Sequence, residues 1–273
     1  MAAERRRLDQ LLVDRQLLPD LRQARSYAMQ GQVIVNDVPC TKPGTLVRVD
    51  ATVRVRGGPR RYASRAATKL EAALTGFRRT VRDKTVLDAG ASAGGFTDCL
   101  LQHGAAKVYA VDVGHGQLRG WLANHPRVVN LERTNISDLA IATFEPALDL
   151  CVFDLSYLSF PKAVGILKKL FVNQLDMIGL IKPMYEGVST QDKDLGPVLF
   201  EMLVRIVENV RSLGVAVDAL MPSPIRGSND VVEFLAGMGR TGESIPAERL
   251  AREAIREMEE GKARRMQSAE AAR

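Results

Sequence analysis

The 273-residue chain has little of what several protein classes require. It contains only three cysteines and three histidines, and these residues lie far apart in the sequence: Cys40, Cys99 and Cys151, and His103, His115 and His125. There is no Cys-x-x-C pair and no cluster of histidines, so neither a disulfide framework nor a zinc site is expected. The sequence therefore predicts no metal centre.

Long apolar runs are also lacking. Apolar stretches such as 149–154 and 177–181 are far shorter than the roughly 20 residues that span a bilayer. The charged N-terminus, residues 1–7, is not followed by the apolar core of a secretory signal. With 46% hydrophobic and 26% charged residues, the composition excludes collagen and low-complexity classes. We therefore expect a cytoplasmic protein without a membrane partner.

The positive charge is concentrated at one end of the chain. The first 62 residues contain twelve basic side chains, eleven of them arginine, against six acids, whereas the remaining residues contain 26 of each sign. The net charge of +6 thus belongs entirely to the first quarter. Because the planar guanidinium fork pairs with phosphate in bidentate fashion, this distribution predicts a polyanion-binding module on a neutral body.

The first quarter has the pattern of a small α+β domain. Leu8, Leu11 and Leu12 have helical spacing, and a second helical stripe over residues 21–29 ends at Gly31. Short apolar runs at 32–35, 46–49 and 52–55, separated by turn-forming residues, predict a small hairpin-like sheet. We place this domain at residues 1–58 and a Gly- and Pro-containing linker at 59–63.

The body of the chain alternates strands and helices. Six apolar runs separated by helical stretches lie at 85–87, 107–111, 128–131, 148–153, 177–181 and 215–220. This alternation predicts an α/β domain at residues 64–246, with a mainly parallel sheet covered on both faces. Ligands of such sheets bind at the carboxyl ends of the strands. Residues 247–273, rich in Ala, Glu and Arg, predict a charged surface helix or tail.

A glycine-rich segment follows the first strand of the body. Residues 88–96 are rich in small side chains and open a helical stretch, although they match neither the phosphate-loop pattern nor G-x-G-x-x-G. Asp112 ends the next strand, where a carboxylate can accept both hydroxyls of a ribose. An adenosine ligand without a pyrophosphate fits this pattern better than a dinucleotide. Alternatively, the glycines form only a tight strand-to-helix turn.

Three body segments, 88–97, 110–118 and 131–139, resemble the haemolysin-A-type (TlyA family) ribosomal-RNA 2′-O-methyltransferases. The basic quarter resembles the S4-type RNA-binding (alpha-L) domain of the same family at 6–9, 21–25 and 31–36. The resemblance covers about 6–239. It implies an FtsJ-like, Rossmann-like class I methyltransferase domain with a seven-stranded, mostly parallel sheet, S-adenosylmethionine as cofactor, and ribosomal RNA or ribosomal subunits as partner.

The resemblance also implies functional residues. Those expected to hold the cofactor are Asp88, Gly90, Ala91, Ser92, Gly94, Gly95, Phe96, Asp112, Val113, Asp138 and Asp154. The family's Lys-Asp-Lys-Glu catalytic set falls on Lys69, Asp154, Lys182 and Glu233. Those expected to contact RNA are Arg6, Arg22 and Arg25.

The chemistry of 2′-O-methylation explains such a set. A ribose hydroxyl is a very weak acid, so its attack on a sulfonium methyl group needs a neighbour that removes or polarises its proton. A lysine can do this only when burial or a nearby cation lowers its pKa. We assign Lys182 as proton acceptor, Asp154 and Glu233 as residues that orient the lysines, and Lys69 as electrostatic partner.

Departures from the family pattern concern the rim of the expected active site. They are Ala66-Ala67 before the first lysine, Met184-Tyr185 after the second, and residues 228–232 before the glutamate. The alternative they favour is a related methyltransferase that has acquired a small-molecule substrate. Near Asp154, Tyr157 and Phe160 are candidates for stacking on a flipped base, or else they belong to the core.

Overall fold

The computed structural model describes residues 4–56, 61–172, 175–188, 195–227, 230–239 and 245–271. These divide into two compact units, Met1–Arg61 and Tyr62–Arg273. Part of the predicted linker (59–60) and part of the third rim departure (228–229) lie outside the described residues. No helix in the described part of the chain is long and apolar enough to cross a membrane.

The first unit packs two helices against short strands. Its helices are α1 (Leu8–Asp14) and α2 (Leu21–Met29), and its strands are β1 (Arg5–Arg7), β2 (Val33–Val35), β3 (Val38–Pro39), β4 (Leu46–Arg48) and β5 (Val53–Val55). Leu8, Leu11 and Leu12 are buried on one stripe of α1, as their spacing predicts. The sheet differs from the predicted hairpin. Strand β2 lies between β3 and β5, whereas β4 pairs with β1, which the sequence analysis did not identify.

The second unit is an α/β domain. Its strands are β6 (Thr85–Ala89), β7 (Lys107–Val111), β8 (Val128–Leu131), β9 (Leu150–Phe153), β10 (Met177–Ile181), β11 (Val217–Pro222) and β12 (Phe234–Met238). Its α-helices are α3 (Ala67–Gly76), α4 (Gly95–Gln102), α5 (Gly120–Ala123), α6 (Phe160–Leu167), α7 (Leu195–Ser212) and α8 (Ala247–Ala271). Short 3₁₀ helices lie at Ile136–Asp138, Ile141–Thr143, Lys168–Leu170 and Pro183–Glu186.

The seven strands form one sheet in the order β11-β12-β10-β9-β6-β7-β8. The sheet is parallel except for β12, which runs antiparallel to β10 and β11, so the predicted fold class is confirmed. Alternate residues of β9 enter different cores: Cys151 and Phe153 pack on one face of the sheet, and Leu150 and Val152 pack on the other. Burial on both faces explains why the strands are continuous apolar runs.

The N-terminal part of the C-terminal helix α8 belongs to the core of the second unit. The sparse apolar spacing predicted a charged surface helix, but the first two turns of α8 are buried at Ala247, Leu250, Ala251 and Ala254. These residues belong to the same core as one face of the sheet. Small side chains at this spacing allow close packing, which explains the weak apolar pattern.

Candidate active site

The glycine-rich segment forms the turn between β6 and α4. Gly90 has φ +88°, and a Cβ atom at this position would lie 2.5 Å from the backbone oxygen of Asp154. At Gly94, with φ +90°, it would overlap Leu122, and at Gly95 it would overlap Ser64. Glycine is required here because neighbouring parts of the protein fill the space where side chains would stand.

Asp112 follows β7 and connects this turn to the next loop. Its carboxylate accepts hydrogen bonds from the backbone N–H of Ser92 at 2.8 Å and of Gly114 at 2.7 Å. A carboxylate has about four lone-pair positions, so accepting capacity remains after these two bonds. Asp112 lies in a cleft at the carboxyl ends of the strands, as the parallel topology predicts.

Among the described residues, twelve line the cleft: Gly90, Ser92, Val111, Asp112, Val113, Gln117, Thr134, Ile136, Asp154, Leu155, Ser156 and Tyr157. They include five of the residues named above for cofactor binding, namely Gly90, Ser92, Asp112, Val113 and Asp154. Tyr157, which was named only as a stacking candidate, lines the cleft too. In contrast, Phe160 is buried against Phe153, with ring centroids 5.1 Å apart, and belongs to the core.

The other six expected cofactor residues do not line the cleft. Ala91, Gly94, Gly95 and Phe96 are buried behind it, and Asp138 is exposed at the end of the 3₁₀ helix whose first residue, Ile136, does line it. The sequence analysis did not identify the remaining six lining residues, Val111, Gln117, Thr134, Ile136, Leu155 and Ser156. Four of them, Val111, Gln117, Thr134 and Ile136, lie inside the segments 110–118 and 131–139 that resemble the family, and this resemblance could have identified them.

Asp88 is a fully buried acid beneath the cleft. The Thr97 hydroxyl donates a 2.6 Å hydrogen bond to one carboxylate oxygen, and the other oxygen has no hydrogen-bond partner among the described residues. Burial raises the pKa of Asp88 to about 7, and the nearby carboxylates of Asp154 and Asp112 act in the same direction. Asp88 is therefore an acid that the fold keeps protonated into the neutral range.

Asp154 links the cleft to a lysine. It follows β9, and Lys182 follows the neighbouring parallel strand β10, so both side chains emerge at the same edge of the sheet. Lys182 Nζ lies 2.6 Å from Asp154 Oδ1 and donates a 2.7 Å hydrogen bond to the Ser156 hydroxyl. The lysine is therefore held at the cleft by two of its lining residues.

A second ion pair lies at this edge of the sheet. Lys69 on α3 and Glu233 before β12 are both buried, and their charged atoms are 2.5 Å apart. Because Ile181 pairs with Phe234 in the antiparallel register, the next pair of positions is Lys182 and Glu233. All four expected catalytic residues thus converge as two ion pairs, Asp154 with Lys182 and Lys69 with Glu233.

The three arginines expected to contact RNA are each about half exposed on the first unit. Arg6 lies 2.5 Å from Asp14, Arg22 lies 3.8 Å from Asp20, and Arg25 lies 3.1 Å from Asp9. Arg7, which the sequence analysis did not name, also contacts Asp9 through its guanidinium group. Arg25 lies sixteen residues after Asp9, so no local sequence pattern indicates that it contacts the same carboxylate as Arg7.

Comparisons with known proteins agree with this architecture. The family model described as FtsJ-like methyltransferase matches residues 62–240, and the S4 domain model matches residues 6–53. A Bacillus subtilis protein named "Putative rRNA methyltransferase YqxC" is 36% identical over 96% of this chain and 99% of its own. The Mycobacterium tuberculosis protein named 16S/23S rRNA (cytidine-2′-O)-methyltransferase TlyA is 37% identical over 85% of this chain and 89% of its own.

A solved structure has the same fold over nearly the whole chain. It is described as "Putative hemolysin from Streptococcus thermophilus", and it matches with a TM-score of 0.68 and 30% identity over 96% of this chain and 100% of its own.

Proposed function

Because this chain belongs to the FtsJ-like methyltransferase family and carries an S4 domain, we propose that it transfers the methyl group of S-adenosylmethionine to a ribose 2′-hydroxyl of ribosomal RNA. One observation carries the proposal: Asp154 lines the cleft and also holds Lys182 at 2.6 Å. A lysine held in this position, beside the cleft where the cofactor would bind, supports the role of Lys182 as proton acceptor.

The residues of the cleft fit S-adenosylmethionine. Asp112 retains lone pairs for the two ribose hydroxyls, and Ile136 and Tyr157 supply apolar surface for an adenine ring. The positive φ of Gly90 keeps the cleft wall free of a side chain. When bound, the cofactor supplies an electrophilic methyl group on a positively charged sulfur. The roles of Asp88, Ala91, Gly94, Gly95, Phe96 and Asp138 are then to shape the site from behind or from its margin.

The two ion pairs have different roles in proton removal: one holds the proton acceptor, and the other stabilises the oxygen that loses the proton. Lys182 accepts the hydroxyl proton while the ribose oxygen bonds to the methyl carbon and the bond from that carbon to the cofactor's sulfur breaks, which leaves a neutral thioether. Asp154 and Ser156 fix the position of the Lys182 nitrogen and stabilise the ammonium group that forms. Glu233 holds Lys69, whose positive charge at this edge of the sheet favours the deprotonated oxygen of the substrate.

Ribosomal RNA is the substrate best supported. The first unit holds the whole positive excess of the sequence, and the relative from M. tuberculosis is named for acting on 16S/23S rRNA. Arg6, Arg22 and Arg25 are exposed enough to contact phosphates. Near Lys182, the exposed rim side chains Met184 and Tyr185 offer apolar surface to a base. Such an enzyme works in the cytoplasm.

The proposal is tested by incubating the full-length protein with methyl-labelled S-adenosylmethionine and isolated ribosomal subunits. We expect label in the RNA with the wild-type protein and none with Lys182→Ala. Labelling of free nucleosides with equal efficiency would favour the small-molecule alternative. The absence of any transfer to either subunit or to naked ribosomal RNA would contradict the proposed substrate.

A further inference from the structure

A buried carboxylate in the first unit holds two arginines. The Asp9 side chain is fully buried, and Arg7 donates to both of its oxygens, at 3.0 Å through Nε and at 2.8 Å through a terminal nitrogen. Arg25 donates through Nε at 3.1 Å to one of the same oxygens. Both guanidinium groups therefore meet at one oxygen atom, although Arg7 and Arg25 are eighteen residues apart in the sequence.

The backbone fixes this carboxylate in place. The N–H of Asp9 donates to the Pro43 oxygen at 2.9 Å, and the N–H of Gln10 donates to the Asp9 side chain at 3.0 Å. Hydrogen bonding by Arg7 is the largest cause that lowers the pKa of Asp9, to about 2. The carboxylate thus stays charged throughout the neutral range and holds the two arginines whether or not a ligand is bound.

Asp9 differs from the other carboxylates of the first unit in the number of arginines that contact it. Arg22, Arg48 and Arg54 each contact an exposed carboxylate of their own, Asp20, Asp50 and Asp37, and Arg6 contacts two carboxylates. At Asp9 two guanidinium groups share one carboxylate, which leaves a net positive charge. The side chains of Arg7 and Arg25 remain 46% and 54% exposed, and among the described residues their contacts with Asp9 account for all their ion pairs.

We propose that Arg7 and Arg25 form a binding site for a backbone phosphate of the RNA, and that Asp9 is the positioning residue that holds the two arginines together. This inference rests on the proposed function. It assigns one contact between the first unit and the RNA backbone to Arg7 and Arg25 together. Two planar groups fixed before binding lose less conformational freedom when a phosphate arrives than two free arginines would. Their outward N–H groups suit bidentate contacts with phosphate oxygens.

The substitution Asp9→Asn separates positioning from bulk charge, because the two explanations predict opposite signs. Removing the negative charge raises the net charge of the unit by one, so an effect of bulk charge would tighten RNA binding. Loss of the carboxylate releases the two arginines, so the proposed site would be weakened. Asp50→Asn is the matched control, since Asp50 is 62% exposed, forms one ion pair among the described residues, with Arg48, and gives the same change in charge.

The assay measures binding of the full-length variants to transcribed 16S and 23S ribosomal RNA over a series of salt concentrations. We expect Asp9→Asn to weaken binding about tenfold, whereas Asp50→Asn leaves it unchanged or tightens it. If Asp9→Asn binds as tightly as Asp50→Asn, the inference is wrong. If the wild-type protein binds neither RNA, the proposed function fails first, and the two failures are thereby distinguished.

Arginine variants keep the test decisive if far-UV circular dichroism shows that Asp9→Asn has lost the fold of the first unit. Arg7→Gln and Arg25→Gln should each make the slope of log affinity against log salt shallower by about one. Arg48→Gln, at 56% exposure, should change it less. Arg25→Lys keeps the charge but loses the fork, and it should restore only part of the affinity. Equal slopes for all three glutamine variants would overturn the inference.

Discussion

Replacing Gly90 by alanine tests how the turn positions the active site. Alanine at φ +88° costs about 1–2 kcal/mol, because the left-handed region is unfavourable for a residue with Cβ. The new Cβ would also lie 2.5 Å from the Asp154 oxygen, and relief of such an overlap costs a further ~1–3 kcal/mol. We therefore expect the free energy of unfolding to fall by about 2–5 kcal/mol in a denaturant titration.

Activity should fall by more than the loss of stability explains. The Asp154 N–H donates a 3.0 Å hydrogen bond to the Ala89 oxygen, so the overlap shifts the strand end that carries the 2.6 Å contact with Lys182. A displacement approaching 1 Å at a reacting group costs about 100-fold in rate. We expect this loss in kcat for methyl transfer to ribosomal RNA, measured below the unfolding transition.

Two other glycines provide controls for this prediction. Gly116 has φ +65°, but among the described residues beyond its two chain neighbours no atom lies within 4 Å of its Cβ position, so Gly116→Ala carries the backbone cost without the overlap. Gly120 has neither feature, and Gly120→Ala should be close to neutral. If Gly90→Ala retains the activity of Gly116→Ala, the contact with Asp154 does not constrain the site and our reasoning is incorrect.

Three further predictions concern single carboxylates and the lysine. Lys182→Ala should abolish transfer while calorimetry shows cofactor affinity within a few-fold of wild type, because a proton acceptor acts on the transition state; near-normal turnover would disprove the role. Asp112→Ala should weaken S-adenosylmethionine at least about tenfold, through loss of ribose bonds and of the amide contacts at Ser92 and Gly114; unchanged affinity would reject this cofactor placement. The folded state holds a proton on Asp88 up to about pH 7, whereas the unfolded chain loses it at about pH 4. The free energy of unfolding should therefore decrease as the pH rises from about 4 to 7, by at most ~1.4 kcal/mol per pH unit. Asp88→Asn should flatten that part of the profile in denaturant titrations, and an unchanged profile would mean that another group is responsible.

The sequence predicted most strands of the sheet because each is a continuous apolar run. Strand β12, which contains Gly237, was not among the predicted strands. The glycine is needed because a Cβ there would lie 2.9 Å from Asp218 and 3.2 Å from Arg79. Arg79 is buried and bonds both oxygens of Asp218, so the reason for this glycine lies in residues far from it in sequence. Local pattern cannot supply such information.

For the site residues, too, the sequence predicts which positions lie at the site but not the contacts between residues distant in sequence. The positions of Asp112, Asp154 and Lys182 could be predicted, because the carboxyl ends of parallel strands meet at one edge. The partner of each lysine could not, since Lys69 and Glu233 are 164 residues apart and meet only through the placement of α3 beside the sheet. Strand β1 likewise consists of three exposed arginines, and it forms through pairing with β4 rather than through an apolar pattern.

The position of the methyl group on the RNA tests the central claim most directly. Ribosomal subunits labelled by the protein and methyl-labelled S-adenosylmethionine are extracted, and the RNA is hydrolysed with alkali and then digested to nucleosides. Because a 2′-O-methyl group removes the nucleophile that cleaves the adjacent phosphodiester, we predict label in an alkali-stable dinucleotide that yields a 2′-O-methylated nucleoside. Label recovered in a base-methylated nucleoside would contradict the account.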